Sequence, residues 1–129
     1  MILEFTVPGQ PRPWQRVAIV RTANGVRGVK TRSARAQATT IAAHALQARQ
    51  RLSVLGRQWP RDERYHVWIE IVEKDGRRGD LDNLAKAILD AANGVLWDDD
   101  RQVDGLFVRR LPSDKANPRT MIRAMPVEP

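Results

Sequence analysis

Cysteine is absent from the sequence, and so are long apolar runs. Without cysteine the chain cannot form disulfides, a thiolate metal site or a Cys nucleophile. No apolar stretch approaches the roughly 20 residues that a membrane helix requires. The start, MILEFTVPGQ, also lacks the charged segment and apolar core of a secretion signal. These absences predict a cytoplasmic protein.

Repeats, low-complexity tracts and linkers are absent as well, so nothing in the sequence divides the chain. Its 129 residues fit one domain, because two domains would each have too few residues for a core. A composition of 42% hydrophobic and 29% charged residues excludes a disordered or membrane-embedded chain. We expect a single domain over residues 1–129.

Charge is present in excess and is unevenly placed. The net charge is +7, yet residues 80–104 contain seven Asp and only two basic residues. Residues 1–79 contain 15 Lys or Arg against six Asp or Glu. A basic body attracts a polyanion such as DNA, and an acidic island within it would repel DNA unless cations neutralise it. The pattern indicates a metal-dependent site in a DNA-binding protein; the alternative is an ordinary solvated basic surface.

Periodicity and turn residues predict the order strand, hairpin, helix, strand, helix, strand, strand. The fold class is α/β (α+β), with a single mixed β-sheet and two main helices packed on it. Alternating apolar residues make the strand at 64–73 a central one. The predicted elements are a strand at 2–7, a hairpin turning at Asn24-Gly25, a helix from the N-cap Ser33 to about Leu52, the strand at 64–73, a helix from Asp82 to Asn93 with Gly94 after it, and strands at 103–111 and 120–125.

The hairpin is basic, with Arg21, Arg27 and Lys30 on its arms. Asn-Gly suits the positive φ angles of a type I′ turn. A basic β-ribbon can lie along a DNA backbone. The alternative is an edge hairpin whose charges prevent aggregation.

The acidic segment begins with Asp80, Asp82 and Asn83, followed by Lys86 and by Asp98, Asp99 and Asp100. Hydrolysis of a phosphodiester needs an activated water and neutralisation of charge on the phosphate, and Mg²⁺ held by converging carboxylates supplies both. If residues 80–82 are extended, the first two carboxylates point the same way. Lys86 lies one helical turn after Asp82, and Asp90 one turn further, too far along to bind the same metal.

Each part of this pattern also has a structural interpretation. Asp-x-Asp before a helix often only caps it, three successive Asp in a loop are commonly solvated or bind Ca²⁺ loosely, and Lys86 can simply pair with Asp82. The occurrence of all three within about 20 residues of a basic chain favours the metal site.

The segment 80–87, DLDNLAKA, together with Asp90-Ala91, Trp97 and Asp100-x-Gln102-Val103, resembles the RusA family of crossover-junction endodeoxyribonucleases. The basic loop with Arg77 and Arg78 before the first Asp, and Gly9-x-Pro11 with Arg16 near the start, are similar more loosely. Glycines 76 and 79 dilute that basic loop, which is where the chain departs from the family.

The resemblance implies catalytic, metal-binding roles for Asp80, Asp82 and Asp100 and a functional role for Lys86. Asp100 is preferred over the two preceding Asp because it alone precedes x-Gln-Val. It further implies a homodimer that nicks opposed strands of a four-way (Holliday) DNA junction with Mg²⁺ or Mn²⁺, in DNA recombination and repair. A phage or prophage setting follows from the same analogy.

We therefore expect a divalent-metal-dependent endonuclease for branched DNA. Weaker candidates for contacts with the DNA backbone are basic residues on the hairpin, in the loop before Asp80 and near the N-terminus: Arg16, Arg21, Arg27, Lys30, Arg77 and Arg78. Two alternatives stay open: a non-catalytic junction-binding protein, and a metal nuclease for flaps, single strands or RNA.

Overall fold

Within the described residues, two helices and six strands form in the predicted order. A computed structural model describes residues 1–13, 18–23, 25–29, 32–76 and 79–127. Its elements are β1 (Leu3–Pro8), β2 (Ala18–Thr22), β3 (Gly25–Val29), α1 (Arg32–Val54), β4 (Tyr65–Val72), α2 (Leu81–Ala91), β5 (Val103–Arg110) and β6 (Arg119–Pro126), with a short 3₁₀ turn at Asp100–Gln102.

Four strands make one mixed sheet in the order β1-β6-β4-β5. β4 pairs in parallel with β5 and antiparallel with β6, and β1 pairs antiparallel with β6. The strand β4 is therefore central, as its alternating sequence predicted. β2 and β3 form a separate two-stranded sheet. The predicted α+β arrangement of one mixed sheet and two helices is confirmed.

Both helices lie on the same face of the sheet, where they bury alternate residues of the strands. Tyr65, Val67, Ile69 and Ile71 of β4 are at most 1% exposed. They pack with the apolar faces of α1 and α2 in one core. The helices contribute Ile41, Ala45, Ala48, Leu84, Ala85 and Ile88 to this core. Burial of this apolar area is the main stabilising contribution.

The opposite face of the sheet is largely open, and of the two helices only α1 reaches its cavity, through Arg51. Trp68 of β4 and Phe107 of β5 are paired positions on this face, and Phe107 is 53% exposed. Ion pairs flank them, Arg109 with Glu70 and Arg123 with Glu4. We call these residues, together with Met121, the aromatic sheet face. It lines a cavity of about 640 Å³.

Both helices begin earlier than predicted, α1 by two residues and α2 by one. α1 starts at Arg32, so Ser33 lies inside the first turn and is not its N-cap. α2 starts at Leu81 with Asp80 as its N-cap, so residues 80–82 are not an extended segment. The buried residues of α2 are Leu84, Ala85 and Ile88.

The hairpin forms, but its turn is shifted by one residue. Thr22 pairs with Gly25, so Gly25, which was predicted as a turn residue, belongs to β3. Gly25, with φ of +121°, begins β3 in a backbone conformation that favours glycine. Asn24 itself lies outside the described residues.

In the described part of the chain, no helix is long and apolar enough to cross a membrane.

Candidate active site

Asp80 is the N-cap of α2 through its backbone, and its side chain does not bond to the helix. Its φ and ψ of −65° and 130° are extended, and its carbonyl accepts the first helical hydrogen bond from the Leu84 N–H at 3.0 Å. The carboxylate makes no capping hydrogen bond and is exposed to solvent. Capping by the side chain, the ordinary explanation for an acid at this position, is therefore wrong for Asp80.

Asp82, Lys86 and Asp100 line one open pocket of about 480 Å³. The first two come from successive turns of α2, as the i,i+4 spacing predicted. Leu106 and Val108 of β5 form an apolar wall of the same pocket. The fold therefore brings two of the three predicted carboxylates and the predicted lysine to one place. Asp80, two residues before Asp82, is not part of the pocket wall.

Asp100 reaches this pocket because the chain reverses after α2 around a buried tryptophan. Trp97 is 1% exposed and lies 5.5 Å from the Tyr65 ring, which in turn stacks on Trp59 at 5.4 Å. Gly94, with φ of +82°, donates its N–H to the Trp97 carbonyl at 2.7 Å. This packing is not local in the sequence, yet it fixes where the acidic loop begins.

Gln102 then holds the acidic loop through four hydrogen bonds. Its side-chain oxygen accepts from the N–H groups of Asp98 (2.9 Å) and Asp99 (3.0 Å). Its amide nitrogen donates to the carbonyls of Arg61 and Glu63, both at 2.8 Å. Gln102, the glutamine of the x-Gln-Val pattern, thus acts as a clamp that joins the acidic loop to the segment just before β4.

The three successive Asp have different environments. Asp98 pairs with Arg61 at 2.6 Å, and Asp99 caps the 3₁₀ turn by accepting from the Arg101 N–H at 2.9 Å. That hydrogen bond is the main cause that lowers the pKa of Asp99. Asp100 is the one that lines the pocket. The structure therefore gives a physical reason to prefer Asp100, independent of the family pattern.

Burial raises the pKa of Asp100, and hydrogen bonds and repulsion involving Asp99 and Asp90 raise it further. From the helical spacing, Asp90 was predicted to be too far along the helix to bind the same metal as Asp82. The structure brings its carboxyl group to Asp100 instead. Negative charge therefore accumulates at this end of the pocket, which is the electrostatic condition that favours uptake of a cation.

Four carboxylates of this region have no cationic partner among the ion pairs that join described residues: Asp80, Asp82, Asp90 and Asp100. By contrast Asp98, Asp99 and Asp104 each pair with an arginine. Carboxylate oxygens that are not paired with a cation are the ligands that Mg²⁺ prefers. Within the described residues, however, no three acidic or His side chains are gathered closely enough to form a finished metal cage. The donor set fits a divalent ion held partly by water and substrate.

A buried ion pair that was not predicted from the sequence lies next to the site. Glu73, 2% exposed, accepts from Arg110 Nε at 2.6 Å, and both side chains contact the backbone of Gly79. A glutamate directly after a buried strand was the signal available in the sequence, but its partner is 37 residues away.

The predicted DNA contacts are not tested by the geometry. Arg16, Lys30, Arg77 and Arg78 lie outside the described residues, and for Arg21 and Arg27 only the backbone, on β2 and β3, is described. These six assignments stay predictions.

Comparison with known proteins gives one finding. The family model described as Endodeoxyribonuclease RusA matches residues 8–125, and so includes both helices, the pocket and the acidic loop. A search among curated proteins returns no match.

Proposed function

Because the chain belongs to the RusA family of endodeoxyribonucleases, we propose that it resolves four-way (Holliday) DNA junctions by paired, divalent-metal-dependent nicks. The observation that carries the proposal is the single pocket shared by Asp82, Lys86 and Asp100. Family membership supports a nuclease acting on DNA and a role in recombination. We further propose that the reaction needs a divalent metal, that the pocket residues carry it out, that the two nicks are symmetric, and that the protein also acts in repair.

Asp80, Asp82 and Asp100 would hold Mg²⁺, for which Mn²⁺ can substitute. The ion would supply a nucleophilic water at neutral pH and neutralise charge on the phosphate. Lys86, on the same pocket wall, orients the scissile phosphate and offsets its developing negative charge. Leu106 and Val108 of β5 form the apolar side of this open pocket, opposite the charged residues in chemistry.

The remaining basic residues supply affinity rather than chemistry. With a net charge of +7, the chain attracts the DNA backbone without reading bases. Arg16, Arg21, Arg27, Lys30, Arg77 and Arg78 are the candidates for these contacts. In a cell we place this activity in the cytoplasm, with a phage or prophage as its setting.

Two opposed strands require two equivalent sites, and a two-fold homodimer provides them. The aromatic sheet face is the surface we assign to this contact. Two of the three arginines at its cavity, Arg109 and Arg123, are paired with Glu70 and Glu4, and Arg51 of α1 is the third. Most of the positive charge of this face is therefore balanced, so it attracts DNA less than an unpaired basic surface does. An aromatic and methionine centre with a paired polar rim is the composition of a protein interface.

The first experiment is cleavage of a labelled four-way junction with Mg²⁺, Mn²⁺ or EDTA. Asp82→Asn is expected to reduce cleavage more than about 100-fold, since loss of a ligand exceeds the 10–100-fold typical of residues behind it, while junction binding is retained. Asp62→Asn, an exposed acid outside the pocket, is the matched control and keeps wild-type activity.

The same assay separates the alternatives. Tight binding without any cut, insensitive to metal, would leave a junction-binding protein. Equal cutting of a linear duplex and a flap would leave a nuclease with another substrate.

A further inference from the structure

A buried ion pair joins the ends of two neighbouring strands beside the candidate active site. Glu73 follows β4 directly and Arg110 is the last residue of β5. Arg110 Nε donates to Glu73 Oε1 at 2.6 Å, and the two side chains are 20% and 3% exposed. Most other ion pairs of the described residues have side chains about a third to four fifths exposed. This pair is therefore unusual in its burial.

The pair also binds both backbone hydrogen-bonding groups of one residue, Gly79. Gly79 donates its N–H to Glu73 Oε2 at 3.3 Å, and its carbonyl accepts from Arg110 Nη2. The Glu73 carbonyl in turn accepts from the Asp114 N–H at 2.9 Å, which anchors the glutamate itself. Gly79 is thus fixed to the sheet from both of its sides.

The residue after Gly79 is Asp80, whose side chain makes no capping bond to the helix that it begins. We propose that Glu73 and Arg110 are positioning residues that set the place and direction of the Asp80 carboxylate before any metal binds. The inference rests on the proposed function, because it gives Asp80 a metal to bind. It adds Glu73 and Arg110 to the candidate site as residues that contact neither the metal nor the substrate.

A buried ion pair by itself is weak support for stability, since two well-packed apolar side chains often serve as well. Geometry gives a better reason for this pair. The planar guanidinium bonds a carboxylate and a carbonyl at once in fixed directions, which a lysine ammonium on a flexible stem does not reproduce. A ligand carboxylate held to within about half an ångström is what a metal site requires of its surroundings.

The test uses Arg110→Lys and Glu73→Gln, which keep size and polarity but remove the fork or the charge. Arg64→Lys and Asp104→Asn are the matched controls, because that exposed pair also joins the β4 and β5 region but does not contact Gly79. Mn²⁺ affinity is measured by titration calorimetry on the full chain without DNA. We expect a 10–100-fold loss in the first two variants and less than a twofold change in the controls.

Hydrogen exchange of the Gly79 amide provides a second readout that does not depend on the variants. The wild-type amide is expected to be protected without metal, because its partner is the Glu73 carboxylate. In Glu73→Gln its exchange should quicken while amides in the centre of β4 stay protected. A freely exchanging Gly79 amide in the metal-free wild type would overturn the inference, even if a variant failed to fold.

Failure of the inference and failure of the proposed function are distinguishable. If the wild type binds Mn²⁺ and cuts junctions while both variants bind Mn²⁺ as tightly, the pair does not position Asp80. If the wild type neither binds Mn²⁺ nor cuts, the metal role of Asp80 is wrong and the inference falls with it.

Discussion

Acidic residues close together in the sequence divide into those with structural partners and those without. Asp98 pairs with an arginine and Asp99 caps a turn, whereas Asp80 and Asp100 have no cation beside them among the described ion pairs. The sequence alone gives all four the same formal charge. Their hydrogen bonds and burial separate them, and so separate structural carboxylates from those available to a metal.

This division predicts that two alanine substitutions differ in their effect on stability. Asp80→Ala should change the free energy of unfolding by less than about 0.5 kcal/mol, although loss of an N-cap side chain normally costs about 1 kcal/mol. Asp99→Ala should lower the melting temperature, because its hydrogen bond from the Arg101 N–H is lost. Thermal unfolding of both variants without metal at neutral pH is the measurement.

The effect of Asp99 should also depend on pH. Its folded pKa is lowered below the ordinary 3.8, first by the hydrogen bond from Arg101, so the stabilisation is present above that value. It is lost as the pH falls through the lowered pKa. A destabilisation by Asp99→Ala that persisted unchanged at pH 2 would contradict the assignment, as would a large loss of stability in Asp80→Ala.

At the scale of elements, α2 and the loop after it form the candidate site as one unit. The helix supplies Asp82, Lys86 and Asp90 from successive turns, and the loop returns Asp100 to the same side. The i,i+4 spacing made the first part predictable from sequence. The return of the loop was not, since it depends on Trp97 packing against Tyr65 and on the four bonds of Gln102.

Gln102 is therefore expected to matter for both stability and metal binding. Gln102→Ala should cost about 1–3 kcal/mol, because four backbone groups lose a partner that water replaces only in part. The half-saturating Mg²⁺ concentration for cleavage should rise, since Asp100 is no longer held. Gln47→Ala, an exposed glutamine on α1, serves as the control. Wild-type Mg²⁺ dependence in folded Gln102→Ala would refute the clamp.

At the scale of the whole molecule, the helices pack on one face of the single sheet, so the other face is available to a partner. Two helices cover one face, and on the other Trp68 and Phe107 lie between ion pairs. The net charge of +7 makes DNA the partner of the basic surfaces. The neutralised aromatic sheet face has a different chemistry, and we assign it to a second copy of the chain.

Phe107→Glu should accordingly convert the protein to monomers, because it places an unpaired charge at the centre of the contact. Light scattering after size-exclusion chromatography measures the mass directly. Leu46→Glu is the matched control, since Leu46 is 43% exposed on α1 and does not line the cavity of the sheet face. A wild type that is monomeric, or a dimer indifferent to Phe107→Glu, would remove this surface as the interface.

The sequence by itself determined the order of elements, the central position of β4, and the residue types at the candidate site. These follow from periods of 2 and 3.6 residues and from charge, which act over one or two turns of chain. Only the tertiary structure decided which Asp faces the pocket, that Asp90 meets Asp100, and that Glu73 and Arg110 hold Gly79. Those contacts join residues far apart in the chain, and their positions depend on how the whole core packs.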